Sequence, residues 1–155
     1  MTKKHKVVLV VEDHELMRNT LADELQRALP DCCVMRCATG EEGIALTKEY
    51  LPEVVVMDVG LPGIDGIEAT RRIKDFRPTT TVIVCSLLNA LANRFAAIEA
   101  GASQWVMKEH ALDGLVPAVR RHLTSDTGVS KYARDTTGHT IPLVVAMEEE
   151  DRLIA

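Results

Sequence analysis

Asp58 closes the run Val54-Val55-Val56-Met57, and Gly60, Pro62, Gly63 and Gly66 follow within eight residues. A short, uninterrupted, β-branched run suits a parallel strand buried on both faces. The glycines and proline forbid its continuation. Asp58 therefore belongs at the carboxyl end of a central strand, on the rim where open α/β sheets bind ligands. Other groups able to do chemistry stand in the same kind of place. Glu12 and Asp13 end the apolar run Lys6–Val11, Ser86 ends Thr80–Cys85, and Lys108 ends Ser103–Met107. If the strands of Glu12 and Asp58 are neighbours, three carboxylates meet, with a hydroxyl on one side and an ammonium beyond. Like charges about 4 Å apart repel by roughly 4 kcal/mol near a protein surface. Lys108 offsets one charge, and a divalent cation is the natural remedy for the others. All-oxygen ligation with room for water favours Mg²⁺.

Alternating elements must position these groups. Met17, Leu21, Leu25 and Ala28 recur at helical spacing between Glu15 and Leu29, and Pro30 closes that helix. Cys32–Cys37 reads as a more mixed, edge strand. Thr39-Gly40-Glu41-Glu42 has the spacing of a capping box opening a helix to about Tyr50, and Asp65-Gly66-Ile67-Glu68 opens another that ends near Asp75. Leu88, Leu91, Phe95 and Ile98 mark a fourth helix, stopped by Gly101. Leu112, Leu115, Val116, Val119 and Leu123 mark the fifth. Five strands and five helices with short connections describe a doubly wound α/β sandwich with right-handed crossovers.

Composition bounds the function. The 155 residues are 46% apolar and 26% charged, with a net charge of −5. That balance opposes non-specific nucleic-acid binding, which depends on Lys and Arg meeting phosphates. No apolar run nears the roughly 20 residues of a membrane span. The basic start, Met1–Lys6, leads into an apolar run too short for a signal peptide. Cys32, Cys33, Cys37 and Cys85 lack metal spacing and read as reduced, mostly buried thiols of a cytoplasmic protein. Residues 1–123 form the expected domain. Thr124–Thr140, rich in Ser, Thr, Asp and Gly, reads as a linker, and 124–155 as linker and tail.

The segments Val10-Val11-Glu12-Asp13-His14, Met57–Gly66, Val82–Ser86 and Ala100–Lys108, in this order and spacing, resemble the receiver domain of two-component response regulators. The resemblance covers about Lys6 to Leu123. It implies a flavodoxin-like (βα)5 fold with a parallel sheet of order 2-1-3-4-5, which makes strands one and three neighbours. It also implies roles. Asp58 would accept a phosphoryl group from the phosphohistidine of a histidine kinase or phosphotransfer protein. Glu12, Asp13, Asp58 and the backbone carbonyl of Gly60 would hold Mg²⁺. Ser86 and Lys108 would bind phosphoryl oxygens. Ser86 and Trp105 would form the switch, Trp105 filling space that Ser86 vacates. Output would pass to a downstream protein partner, or through a homodimer, on the face of 88–101, 103–107 and 111–123.

Plainer roles are available to single residues. Asp13 could cap the first helix and Ser86 the fourth, Trp105 could be a packed aromatic, and His14 a first-turn surface residue. Arg71-Arg72 reads as a solvated helix face. The chain also departs from the family pattern. Glu109 stands where proline is usual after Lys108, and a cis bond there would cost about 2.5–4 kcal/mol. Leu87 replaces a small residue and is expected to narrow access to Asp58. Trp105 replaces the commoner Tyr or Phe. These departures leave a receiver-like scaffold with impaired phosphorylation as the alternative. A Mg²⁺-dependent phosphohydrolase is disfavoured, because Gly60 occupies the place of a second acid. In the tail, Pro142-Leu143 and Arg152-Leu153-Ile154-Ala155 resemble the start of a LuxR-type helix-turn-helix domain. Glu150 and Asp151 fall where that helix would be apolar, so this chain is not expected to bind DNA by itself.

Overall fold

The computed structural model describes residues 5–87 and 90–124, with two short strands at 132–134 and 140–142. Five strands, β1 (Lys6–Val11), β2 (Cys32–Cys37), β3 (Val54–Asp58), β4 (Thr81–Ser86) and β5 (Gln104–Met107), form one parallel sheet. Its order is β2-β1-β3-β4-β5, as the resemblance implies. The helices are α1 (Glu15–Ala28), α2 (Gly40–Tyr50), α3 (Gly66–Phe76), α4 (Leu91–Ala100) and α5 (Ala111–Thr124). No described helix is long and apolar enough to cross a membrane.

Strand alternation splits the core into two layers. Val8, Val10, Val54, Val56, Ile83 and Cys85 face Leu21 and Leu25 of α1 and Leu115 and Val119 of α5. Leu9, Val11, Val55, Met57, Val82, Val84 and Trp105 face Ala69 and Ile73 of α3 and Ala97 of α4. β3 is buried along its whole length, so its apolar run has no polar alternation. β2, at the edge, keeps Cys33 and Arg36 exposed.

Several local expectations are corrected. His14, not Asp13, caps α1, its Nδ1 accepting from Met17 N–H at 3.3 Å. Thr39 caps α2 as expected, while Glu42 reaches back to Ala38 N–H. Asp65 caps α3, but Glu68 turns to Arg71 and Arg72 on the exposed face instead of closing the box. Ser86 is not the cap of α4. That helix begins at Leu91 with Ala90 before it, leaving no side-chain cap. The inward face of α4 also differs. Arg94, Ala97 and Ala100 are buried, whereas Leu91 and Phe95 are exposed; Leu88 lies outside the described residues.

The expected linker contains structure. Tyr132–Arg134 (β6) and Thr140–Pro142 (β7) pair antiparallel in a separate two-stranded sheet. The remaining tail positions that resemble a LuxR-type domain, 143–155, lie outside the described residues.

Candidate functional site

Register brings the strand ends together. Val11 pairs with Met57, so Glu12 and Asp58 leave the sheet side by side. Asp58 pairs with Cys85 and Ser86 with Met107, so the hydroxyl and Lys108 follow on the other flank. Carboxylate oxygens of Glu12, Asp13 and Asp58 lie within 4.8 Å of one another. Glu12 and Asp58 are buried, at 2% and 5% exposed, and Asp13 is open to solvent. Lys108 Nζ reaches across to both buried acids, 2.6 Å from Glu12 Oε2 and 3.1 Å from Asp58 Oδ2.

The electrostatics follow from burial. Loss of water pushes the Glu12 carboxyl above the ordinary carboxylate range; its bond to Lys108 pulls the other way but less strongly. Burial alone would lower the Lys108 ammonium, yet Glu12 and Asp58 together outweigh it and hold the group above its ordinary value. Among the described residues, Lys108 pairs with two of the three acids and no ion pair reaches Asp13. That excess of oxygen-bearing negative charge, with one acid accessible to solvent, fits a hard divalent cation such as Mg²⁺.

The backbone around the acids is fixed by groups that sequence reasoning overlooked. Arg18, on the second turn of α1, donates from one guanidinium nitrogen to the carbonyls of Glu12 at 3.0 Å and Asp13 at 3.2 Å. Glu12 Oε1 also accepts from His14 N–H. After Asp58 the chain doubles back, with Leu61 and Gly66 N–H both donating to the Val59 carbonyl. Glu41, at the start of α2, accepts from Ile64 N–H at 3.1 Å and so ties that loop down; the bond holds its carboxyl below the usual range. Gly66 packs against the Asp58 carbonyl so closely that a Cβ there would collide with the oxygen. The spacing of Arg18 from residues 12 and 13 matches no helical pair rule, and Glu41 acts over 23 residues. Only Gly66, as a turn former, was visible as special.

The remaining assigned residues take these places. Ser86 is buried beside the acids and has an interaction partner. Gly60 is exposed, its N–H 3.4 Å from Asp58 Oδ1. Trp105 is already buried, at 2% exposed, under Arg94. Leu87, the residue after the end of β4, is 70% exposed. The described residues contain no cis peptide bond, and Lys108–His110 forms a single 3-10 turn where the family pattern has proline.

Residues 8–120 match the model of the response regulator receiver domain. The chain belongs to that family. It is 37% identical over 116 residues to the transcriptional activator protein ExaE of Pseudomonas putida, covering 75% of this chain and 54% of that one. With the chemotaxis protein CheY of Halobacterium salinarum it shares 33% over 120 residues, 77% of this chain and 98% of that one. The chain thus spans about half the length of ExaE and nearly all of CheY. A solved two-component response regulator of the LuxR family from Aurantimonas is similar over 97% of this chain and 99% of its own, with a TM-score of 0.74 and 27% identity. The BeF3-activated DrrB receiver domain has a TM-score of 0.67 and 32% identity, covering 78% of this chain and 99% of that one.

Proposed function

We propose that this receiver takes a phosphoryl group onto Asp58 from the phosphohistidine of a histidine kinase or phosphotransfer protein, and that the resulting acyl phosphate changes its protein partners. The observation that carries this reading is the convergence of Glu12, Asp13 and Asp58, with Lys108 paired to the two buried acids. A carboxylate oxygen of Asp58 attacks phosphorus, and the phosphorus–nitrogen bond of the donor breaks. The electron pair stays on the imidazole, which takes up a proton. Lys108, already against Asp58, moves with the charge onto a phosphoryl oxygen, and the Ser86 hydroxyl donates to another. Glu12, Asp13, Asp58 and the Gly60 carbonyl would hold Mg²⁺, which when bound offsets charge on the transferring group.

The new group adds about −1.5 to −2 charges beside Ser86. Ser86 and Trp105 carry that change toward α4 and α5, where Leu91, Phe95 and Leu112 are exposed and available to a downstream protein or a second copy of the chain. The free thiols of Cys32, Cys33, Cys37 and Cys85 suit a cytoplasmic setting.

Incubation with acetyl phosphate and Mg²⁺, followed by intact-mass measurement, tests the proposal. One added phosphoryl group is expected, absent with chelator and absent in Asp58→Asn. A chain that stays unmodified at saturating Mg²⁺ is instead an interaction module that phosphorylation does not reach.

A further inference from the structure

Helix α4 is inverted relative to its own apolar pattern. Leu91 and Phe95 are 55% and 42% exposed, while Arg94 between them is 3% exposed. Arginine is almost never fully buried without partners, and Arg94 has an interaction besides its contact with a ring. The Arg94 guanidinium carbon lies 5.9 Å from the centroid of the Trp105 ring. A cation over an indole face is drawn to the ring's negative quadrupole, and more strongly where water is excluded. Trp105 itself is buried with its Nε1–H lacking a hydrogen-bond partner among the described residues. An unmet buried donor favours leaving for water. The ring is therefore pulled two ways: outward by its polar edge, inward by packing and by Arg94. The helix adds little restraint of its own. Ala90 offers no capping side chain, the first turn holds no acid and the last turn no base.

We propose that Arg94 is a latch on Trp105. Its guanidinium holds the indole buried and α4 in its present rotation. Release of the contact frees the indole to leave and lets α4 bury Leu91 and Phe95 instead. The latch acts on the residue that carries the signal in the proposed function, but it is measured without a phosphodonor, so its failure and the failure of the phosphoacceptor reading are separable.

Trp105 is the only tryptophan in the sequence, so the emission of the full chain reports this residue alone. The wild type should emit at short wavelength and resist acrylamide quenching, and Asp58→Asn should do the same. Arg94→Met keeps an unbranched stem and removes the charge. Its emission should move to longer wavelength, with a quenching constant raised about threefold or more. Arg94→Lys, which keeps the charge but not the planar stack, should fall between. Wild-type emission and quenching in Arg94→Met would overturn the latch. A second measurement needs no variant: side-chain protons of Arg94 in the wild-type NMR spectrum should lie upfield, shifted by the indole ring current. Ordinary arginine shifts at that residue would also overturn it.

Discussion

The Lys108 ammonium lies 2.6 Å from the Glu12 carboxylate, and both groups are out of water. The same ammonium bonds Asp58 at 3.1 Å, so one positive charge is shared between two buried acids. Removing one partner of a buried ion pair typically costs about 3–5 kcal/mol, because the other charge is left uncompensated. Lys108→Met should therefore lower stability by about that amount in urea unfolding without metal. Added Mg²⁺ should restore part of the loss, since it brings back positive charge.

Asp13 is in a different position. It is exposed, and no ion pair to it is found among the described residues, while it stands within reach of two other carboxylates. Asp13→Asn should raise metal-free stability, by about 1 kcal/mol at low salt as like-charge repulsion is relieved. The same variant should weaken Mg²⁺ binding at least tenfold by calorimetric titration. Opposite signs from one substitution are what a site shaped for a cation gives. A loss of stability with unchanged Mg²⁺ affinity would mean Asp13 serves only the local fold.

Arg18 touches neither carboxylate, yet it holds the carbonyls of both Glu12 and Asp13. Such supporting contacts are commonly worth about 10–100-fold in metal affinity. Arg18→Ala should weaken Mg²⁺ binding by about tenfold while shifting the thermal midpoint little, and Arg18→Lys should recover part of it.

Much of this arrangement was legible in residue order. Val54–Asp58 is buried on both faces, so its apolar run and its abrupt stop were both written into the sequence. The strand ends placed Glu12, Asp13, Asp58, Ser86 and Lys108 on one rim before any coordinates. The inward face of α4 was not legible, because spacing rules assume that apolar residues turn inward, and here Arg94 does so against Trp105. Capping was less legible where several candidates adjoin: Asp13 and His14 both precede α1, and it is the His14 side chain that accepts from Met17 N–H. The supports Arg18 and Glu41 act through backbone groups in the folded loops and leave no periodic trace.

Gly66 gives a steric test of the loop that follows Asp58. A methyl group there meets the Asp58 carbonyl oxygen, which belongs to the backbone and cannot step aside. Gly66→Ala should cost about 3 kcal/mol or more of stability. It should also slow modification of Asp58 more than a remote variant of equal stability.

The cysteines are not mostly buried as expected: Cys37 and Cys85 are, but edge strand β2 leaves Cys32 half-buried and Cys33 exposed. Burial pushes the Cys37 and Cys85 thiols up to about 12, while Cys33 is exposed on the edge strand. A disulfide reagent at pH 8 should react quickly with Cys33 and reach Cys37 and Cys85 only on unfolding. A folded-state value above the unfolded one contributes stability that is complete below the ordinary thiol range and is lost as pH rises toward about 12.

The central claim is that Asp58 is the atom-level acceptor. Borohydride reduction after treatment with acetyl phosphate and Mg²⁺ converts an aspartyl phosphate to homoserine, which peptide sequencing locates. Homoserine at residue 58 alone, and only when Mg²⁺ is present, is the predicted result. An unreduced Asp58 in a chain that carries the phosphoryl group elsewhere, or nowhere, would contradict the account.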